Sequence, residues 1–239
     1  TQPLPVGIGG ITISTDKADV PLVIRMADPL VDYSFNTVTL FFQKNDSSFY
    51  YAIENKESRP LAHIGSYHDD LFVNHSRIVL PEKFSEIIIR TVKDQEQQRR
   101  ATIFGINLEN ASNGILYHAI GVNGAKYVHY QAAQLFAEQT SALQPDLFII
   151  SLGTNESLDY PYIDKNFYNH IDKLIQSLKV RNPSSVFILA TIPDTYRKKT
   201  KRNPGIAVIR DQILGYAAEN GLAFWDMHKV MGGEHSADT

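Results

Sequence analysis

The length of 239 residues and the composition, 43% hydrophobic and 21% charged, suit one large or two modest globular domains. A net charge of −3 does not indicate binding to nucleic acid or to an anionic membrane surface. The chain contains no cysteine, which excludes disulfides, thiolate catalysis and zinc sites with cysteine ligands. No apolar run approaches the ~20 residues of a membrane-spanning helix, and the first residues lack the basic segment and apolar core of a signal peptide.

The first part of the chain, residues 1–109, predicts an all-β domain. Short runs alternate between apolar and polar residues and are separated by turn-forming clusters such as residues 44–48. Many short strands at this spacing indicate an antiparallel sandwich or jelly roll. We expect the aromatic residues of this region to fill its core rather than to form a sugar-stacking platform. They are Phe35, Phe41, Phe42, Phe49, Tyr50 and Tyr51.

The second part of the chain, residues 110–239, predicts an α/β domain. Short apolar runs indicate four strands, at residues 114–120, 147–150, 186–190 and 223–225. Apolar residues at helical spacing indicate three helices, over residues 128–143, 163–178 and 206–217. Strands and helices that alternate with short connections are typical of parallel βαβ units. We therefore expect a doubly wound α/β domain with a parallel sheet.

Small and polar residues, from Ser151 to Ser157, follow the predicted strand at residues 147–150. In an open α/β sheet, ligands bind at the carboxyl ends of the strands. A glycine at this point allows a sharp turn, and Asn155 has a side-chain amide that can donate into the crevice. Such a donor is one half of an oxyanion hole. The alternative interpretation is that Thr154, Asn155 or Ser157 caps the next helix.

A second glycine turn, GVNGA at residues 121–125, follows the strand predicted at residues 114–120. A turn that opens a helix presents free backbone N–H groups. A dinucleotide site is disfavoured, because the GxGxxG spacing and the acidic residue after the next strand are both missing. What remains is a backbone N–H near Gly124 and the amide of Asn155 on adjacent strand ends. Two convergent donors suit the tetrahedral oxyanion of acyl transfer.

Four segments together resemble the SGNH (GDSL-type) hydrolase family. They are GILYHAIGVNGA at 114–125, PDLFIISLGTNES at 145–157, VFILATIP at 186–193 and AFWDMHKVMGG at 223–233. The resemblance implies a three-layer α/β/α parallel-sheet domain over residues 110–239, preceded by the all-β domain. It also implies that Gly124 and Asn155 are oxyanion-hole residues. Glu156 stands where the family's third block usually has Asp.

The subgroup that this chain most resembles carries Gly-Thr-Asn-Glu and an inserted β domain. It is similar to bacterial carbohydrate and peptidoglycan O-acetylesterases, in which the β domain resembles a carbohydrate-binding module. The resemblance implies an esterase that acts on an acylated glycan, needs no metal or organic cofactor, and works in the periplasm or outside the cell. It leaves the acyl group, the sugar and the oligomeric state open.

The family's Gly-Asp-Ser nucleophile block and Asp-x-x-His base block do not occur in this sequence. We therefore expect these 239 residues to be an internal portion of a longer polypeptide, with the serine nucleophile outside them. The alternative hypothesis is a non-catalytic carbohydrate-binding protein that uses a degenerate hydrolase scaffold.

Other polar clusters favour ordinary roles. His63, His68 and His75 with Asp69 and Asp70 match no zinc spacing, so a solvated loop is expected there, as it is for Gly65-Ser66. The basic run at residues 197–202 is interpreted as a solvated loop rather than a glycan contact. Asp226 is predicted to be a turn residue at a strand end, and His228 a polar residue with its hydrogen bonds satisfied. No acidic partner at the family spacing precedes His235.

Overall fold

The structure, a computed structural model, describes residues 5–25, 33–65, 75–197 and 201–238. The chain divides into two compact units, residues 1–120 and residues 121–239. The last strand of the first unit ends at Glu109, where the sequence predicts that the β domain ends. In the described parts of the chain, no helix is both long and apolar enough to cross a membrane.

In its described residues, the first unit contains two antiparallel sheets of four strands each. The eight strands are β1 Ile13–Thr15, β2 Pro21–Arg25, β3 Phe35–Phe42, β4 Tyr50–Glu54, β5 Pro60–Ile64, β6 His75–Phe84, β7 Glu86–Val92 and β8 Ala101–Glu109. One sheet has the order β1-β8-β3-β6 and the other has the order β2-β7-β4-β5. The predicted all-β character of this region is confirmed.

Both sheets contribute side chains to a single hydrophobic core. Strand β7 shows the predicted alternation, because Ile87 and Ile89 are buried while Ile88 is partly exposed. Five of the six aromatic residues predicted to be core are fully buried, and Tyr50 is half-buried. Phe35, Phe42, Phe49 and Tyr51 belong to this core, whereas Phe41 and Tyr50 are not part of it.

The described part of the second unit contains a parallel sheet of three strands in the order β13-β10-β9. Its strands are β9 Leu147–Ser151, β10 Val186–Ala190 and β13 Ala223–Trp225, and a small antiparallel pair consists of β11 Tyr196–Arg197 and β12 Lys201–Arg202. The helices are α1 Tyr127–Ala132, α2 Phe136–Thr140, α3 Thr154–Ser157, α4 Phe167–Arg181, α5 Gly205–Glu219 and α6 Met227–Val230, with short 3-10 helices at Ser141–Leu143 and Ser236–Asp238.

The helices cover one face of this sheet. Ile150, Phe187 and Leu189 are buried on that face, against which helix α5 packs. The opposite face carries exposed apolar side chains, which are Leu147, Ile149, Val186 and Trp225. Within the described residues, the unit therefore shows two of the three predicted layers.

The strand predicted at residues 114–120 is wrong. This segment has no regular secondary structure, and the side chain of Ile115 is 99% exposed. A β-strand needs a hydrogen-bonded neighbour, and no described strand pairs with this segment. The helix predicted over residues 128–143 is divided into α1, α2 and a 3-10 turn, whereas α4 and α5 match their predicted positions.

Candidate active site

Gly153 forms the sharp turn between strand β9 and helix α3. Its φ of +118° lies in the region that favours glycine. A Cβ atom at this position would also lie 2.8 Å from Cγ2 of Ile209 on helix α5. The turn therefore needs glycine for its backbone conformation and for close packing.

Asn155 does not cap helix α3. The residue at the start of this helix is Gly153, and no side chain forms a capping hydrogen bond there. Instead, Nδ2 of Asn155 donates a hydrogen bond of 2.7 Å to the backbone oxygen of Ala125. A carboxamide nitrogen carries two protons, so this bond uses only one of them. The capping alternative is therefore wrong for Asn155.

The contact with Ala125 brings the two glycine turns together, because Gly124 is the preceding residue. Gly124 is exposed and has a φ of +79°, and a Cβ atom at this position would meet nothing within 4 Å. Its N–H has no hydrogen-bond acceptor among the residues that the structure describes. The site therefore has an N–H and an amide proton available beside open space. These are the two groups that the sequence singled out.

Glu156, the residue that departs from the usual family motif, makes a second contact between the two turns. Its Oε1 accepts a hydrogen bond of 2.6 Å from the N–H of Tyr127, the first residue of helix α1. The side chain is 6% exposed. Burial raises the pKa of this carboxyl, and the bond from Tyr127 offsets part of that rise.

Helix α3 is anchored to helix α5 on its other side. Oγ of Ser157 accepts a hydrogen bond of 2.7 Å from Nδ2 of Asn203, and Ser157 itself is fully buried. The backbone oxygen of Ser157 approaches Gly205 so closely that a Cβ atom there would lie 2.0 Å from it. Gly153 and Ser157, the residues that flank this segment, are thus both held by packing against helix α5.

Asp226 lies at the end of strand β13, as predicted, and caps helix α6. Its carboxylate accepts hydrogen bonds from Arg210 Nε at 2.9 Å and from Thr191 Oγ1 at 3.0 Å. The Arg210 guanidinium lowers the pKa of Asp226 to about 2. This carboxylate is therefore a charged structural group in the neutral pH range.

The two histidines near the C-terminal end differ in their environments. The prediction that His228 has its hydrogen bonds satisfied is wrong, since Nε2 is buried and has no partner among the described residues. The ring of His235 contacts the guanidinium of Arg202, and its backbone N–H donates to Asp194. Nε2 of His228 is therefore not bound to a carboxylate among the described residues.

The other clusters from the sequence analysis are only partly described. His63 packs edge-on against Tyr50, and His75 packs against Phe41. Both histidines therefore have packing roles in the first unit. The loop residues Ser66, His68, Asp69 and Asp70 lie outside the described residues, as do residues 198–200 of the basic run.

Comparisons with known proteins identify one family model and several similar folds. The model of the GDSL-like lipase/acylhydrolase family matches residues 91–239. The structure of a peptidoglycan O-acetylesterase matches with a TM-score of 0.69 and 18% sequence identity, over 96% of this chain and 61% of that chain. A family two carbohydrate esterase from Cellvibrio japonicus matches with a TM-score of 0.29 and 10% identity, over 89% of this chain and 81% of that one. No curated protein matches the chain.

Proposed function

Because the chain belongs to the GDSL-like lipase/acylhydrolase family, we propose that it supplies the oxyanion-binding part of an esterase. The observation that carries the proposal is the hydrogen bond from Asn155 to Ala125, which places the Asn155 amide beside the Gly124 turn. The chain spans 61% of the length of the peptidoglycan O-acetylesterase that it matches. The serine nucleophile and its histidine base are assigned to residues outside this sequence.

In the proposed reaction, a serine hydroxyl attacks the carbonyl carbon of an ester while a histidine takes its proton. The carbonyl oxygen becomes an oxyanion, which accepts hydrogen bonds from the Gly124 N–H and the second amide proton of Asn155. The bond to the alcohol oxygen breaks, and the alcohol leaves with the proton from histidine. Water then hydrolyses the acyl-enzyme. No step requires a metal or an organic cofactor.

We infer that the alcohol is a carbohydrate and that the acyl group is acetyl. The fold is shared with a peptidoglycan O-acetylesterase, which supports this substrate class. The described residues of the first unit form eight strands in two antiparallel sheets, an arrangement that fits a jelly roll and a carbohydrate-binding module. An acetylated cell-wall glycan lies outside the cytoplasm, so the proposed location is periplasmic or extracellular.

The test of this function is Asn155→Ala in the full-length protein, assayed with 4-nitrophenyl acetate. Loss of one oxyanion donor lowers kcat by about 100- to 1,000-fold in comparable sites, and we expect a loss of this size. Asn220→Ala is the matched control, because Nδ2 of Asn220 also donates to a backbone oxygen, that of Tyr216. If Asn155→Ala retains activity within a few-fold, the oxyanion role is wrong. Absence of esterase activity in the wild-type full-length protein would instead favour the alternative, a non-catalytic carbohydrate-binding protein.

A further inference from the structure

Glu156 is buried beside the proposed oxyanion hole. Its Oε1 accepts from the N–H of Tyr127, and Asn155 donates to the oxygen of Ala125. Asn155 and Glu156 are consecutive residues of helix α3, and they bind a backbone oxygen and a backbone N–H that lie two residues apart in the other turn. Both hydrogen bonds can form in only one register of the two turns. A shift of either turn along the other would break both bonds.

This register determines where the Gly124 N–H lies relative to the Asn155 amide. Gly124 precedes Ala125 directly, and a glycine turn has wide conformational freedom unless its neighbours are held. We propose that Glu156 is the positioning residue that holds the Gly124 turn at the distance needed for both oxyanion donors to act together. The inference rests on the proposed esterase function, and it goes beyond it by assigning a role to the last residue of the Gly-Thr-Asn-Glu segment.

The chemistry of the side chain supports this assignment. A buried carboxylate costs more free energy than an apolar residue of the same size unless its hydrogen bonds are well made. Oε2 of Glu156 has no hydrogen-bond partner among the described residues, so the directional bond from Tyr127 is the main polar contact of this group. A carboxylate differs here from an apolar side chain because its hydrogen bond fixes the position of Tyr127.

A third contact between the turns, an ion pair, is weaker. Nζ of Lys126 and Oδ2 of Asp159 form an ion pair at 2.6 Å, and both side chains are partly exposed. Solvent screens such pairs, so they hold two segments together less tightly than a buried hydrogen bond does. Glu156, and not the surface pair, is therefore expected to set the geometry.

The test compares Glu156→Gln and Glu156→Asp in the full-length protein, with 4-nitrophenyl acetate as substrate. Gln retains a side-chain oxygen at the same reach and should keep kcat within about 3-fold of the wild type. Asp is shorter by one C–C bond, roughly 1.5 Å, which exceeds the tolerance of a hydrogen bond. We expect its kcat to fall by about 10- to 100-fold with KM within about 2-fold, because a misplaced donor affects the transition state more than substrate binding. The matched control is Glu219→Asp, which shortens a surface glutamate that contacts the hydroxyl of Tyr168.

Amide hydrogen exchange at Tyr127 gives a readout that does not depend on catalysis. It should accelerate at least about 10-fold in Glu156→Asp and stay near the wild-type rate in Glu156→Gln. Unchanged kcat in Glu156→Asp, or equal losses in both variants, would overturn the positioning role, as would unchanged exchange at Tyr127. If Asn155→Ala retains activity, the oxyanion role of Asn155 fails, and if the wild type has no activity, the esterase proposal itself fails. If Asn155→Ala is inactive and Glu156→Asp is fully active, only the role of Glu156 fails.

Discussion

Asp226 shows how one carboxylate joins three elements of the second unit. It terminates strand β13, caps helix α6, and pairs with Arg210 on helix α5. Thr191, at the end of strand β10, donates a further hydrogen bond to it. The sequence predicts the turn at this position but not the partners, because Arg210 and Thr191 are distant in the chain. The resulting pKa of about 2 is well below the ordinary value for aspartate.

This lowered pKa predicts how the stability of the unit depends on pH. A carboxylate whose folded-state pKa is lowered stabilises the fold above its unfolded-state pKa of about 4 and loses that contribution as pH falls toward about 2. We expect Asp226→Asn to reduce the free energy of unfolding at pH 7 by about 1–2 kcal/mol, allowing for solvent screening of the Arg210 pair. Urea unfolding at a series of pH values measures this difference, which should shrink below about pH 4. A difference that does not vary with pH would contradict the assigned role of the charge.

Helix α5 supports the candidate site through its first residue. Gly205 lies against the backbone of Ser157 in helix α3, and α3 also contains Asn155 and Glu156. A methyl group at position 205 would meet a backbone oxygen, which cannot rotate away as a side chain can. A larger side chain at position 205 is therefore expected to displace helix α3, which carries Asn155.

We expect Gly205→Ala to destabilise the fold by about 2 kcal/mol or more, because overpacking against backbone forces the helices apart. Gly215→Ala in the same helix is the matched control. A Cβ atom there meets nothing within 4 Å, and replacing a mid-helix glycine with alanine should stabilise the fold by up to about 1 kcal/mol. Thermal unfolding of the two variants measures both effects. Equal melting temperatures would contradict the close packing of α3 on α5.

At the scale of the whole molecule, each of the two units has buried residues of its own, but the second unit leaves one sheet face open. Neighbouring residues of strand β9 show the difference, since Ile149 is 56% exposed and Ile150 is 8% exposed. The two side chains have the same size and lie on opposite faces of the same strand. Truncation of these two side chains therefore compares a covered face of the sheet with an uncovered one.

The prediction is that Ile150→Ala costs about 2–4 kcal/mol and Ile149→Ala less than about 1 kcal/mol, because only the buried side chain leaves a cavity when it is truncated. Denaturant unfolding of the 239-residue chain gives both values. Similar losses for the two variants would mean that both faces of the sheet are covered in solution. Such a result would contradict the exposure of Ile149 on the open face.

Local patterns in the chain were sufficient to predict the helices and strands whose apolar residues recur at a regular spacing. Helices α4 and α5 and strands β9, β10 and β13 match their predicted positions, since apolar spacing reports which side of an element is buried. The same patterns predicted a strand at residues 114–120, which is wrong because an apolar run becomes a strand only beside a neighbour that accepts its backbone hydrogen bonds.

For the candidate site, the motifs identified Gly124 and Asn155, since glycine turns and polar residues at strand ends are visible in the order of amino acids. The contacts of Glu156 with Tyr127 and of Asn155 with Ala125 join residues about thirty positions apart. No local preference specifies such pairs, because their geometry depends on how strand β9 and helix α5 hold the intervening turns. Residue types and periodicity thus predict which groups are available for chemistry, and the packing of the folded chain determines which of them meet.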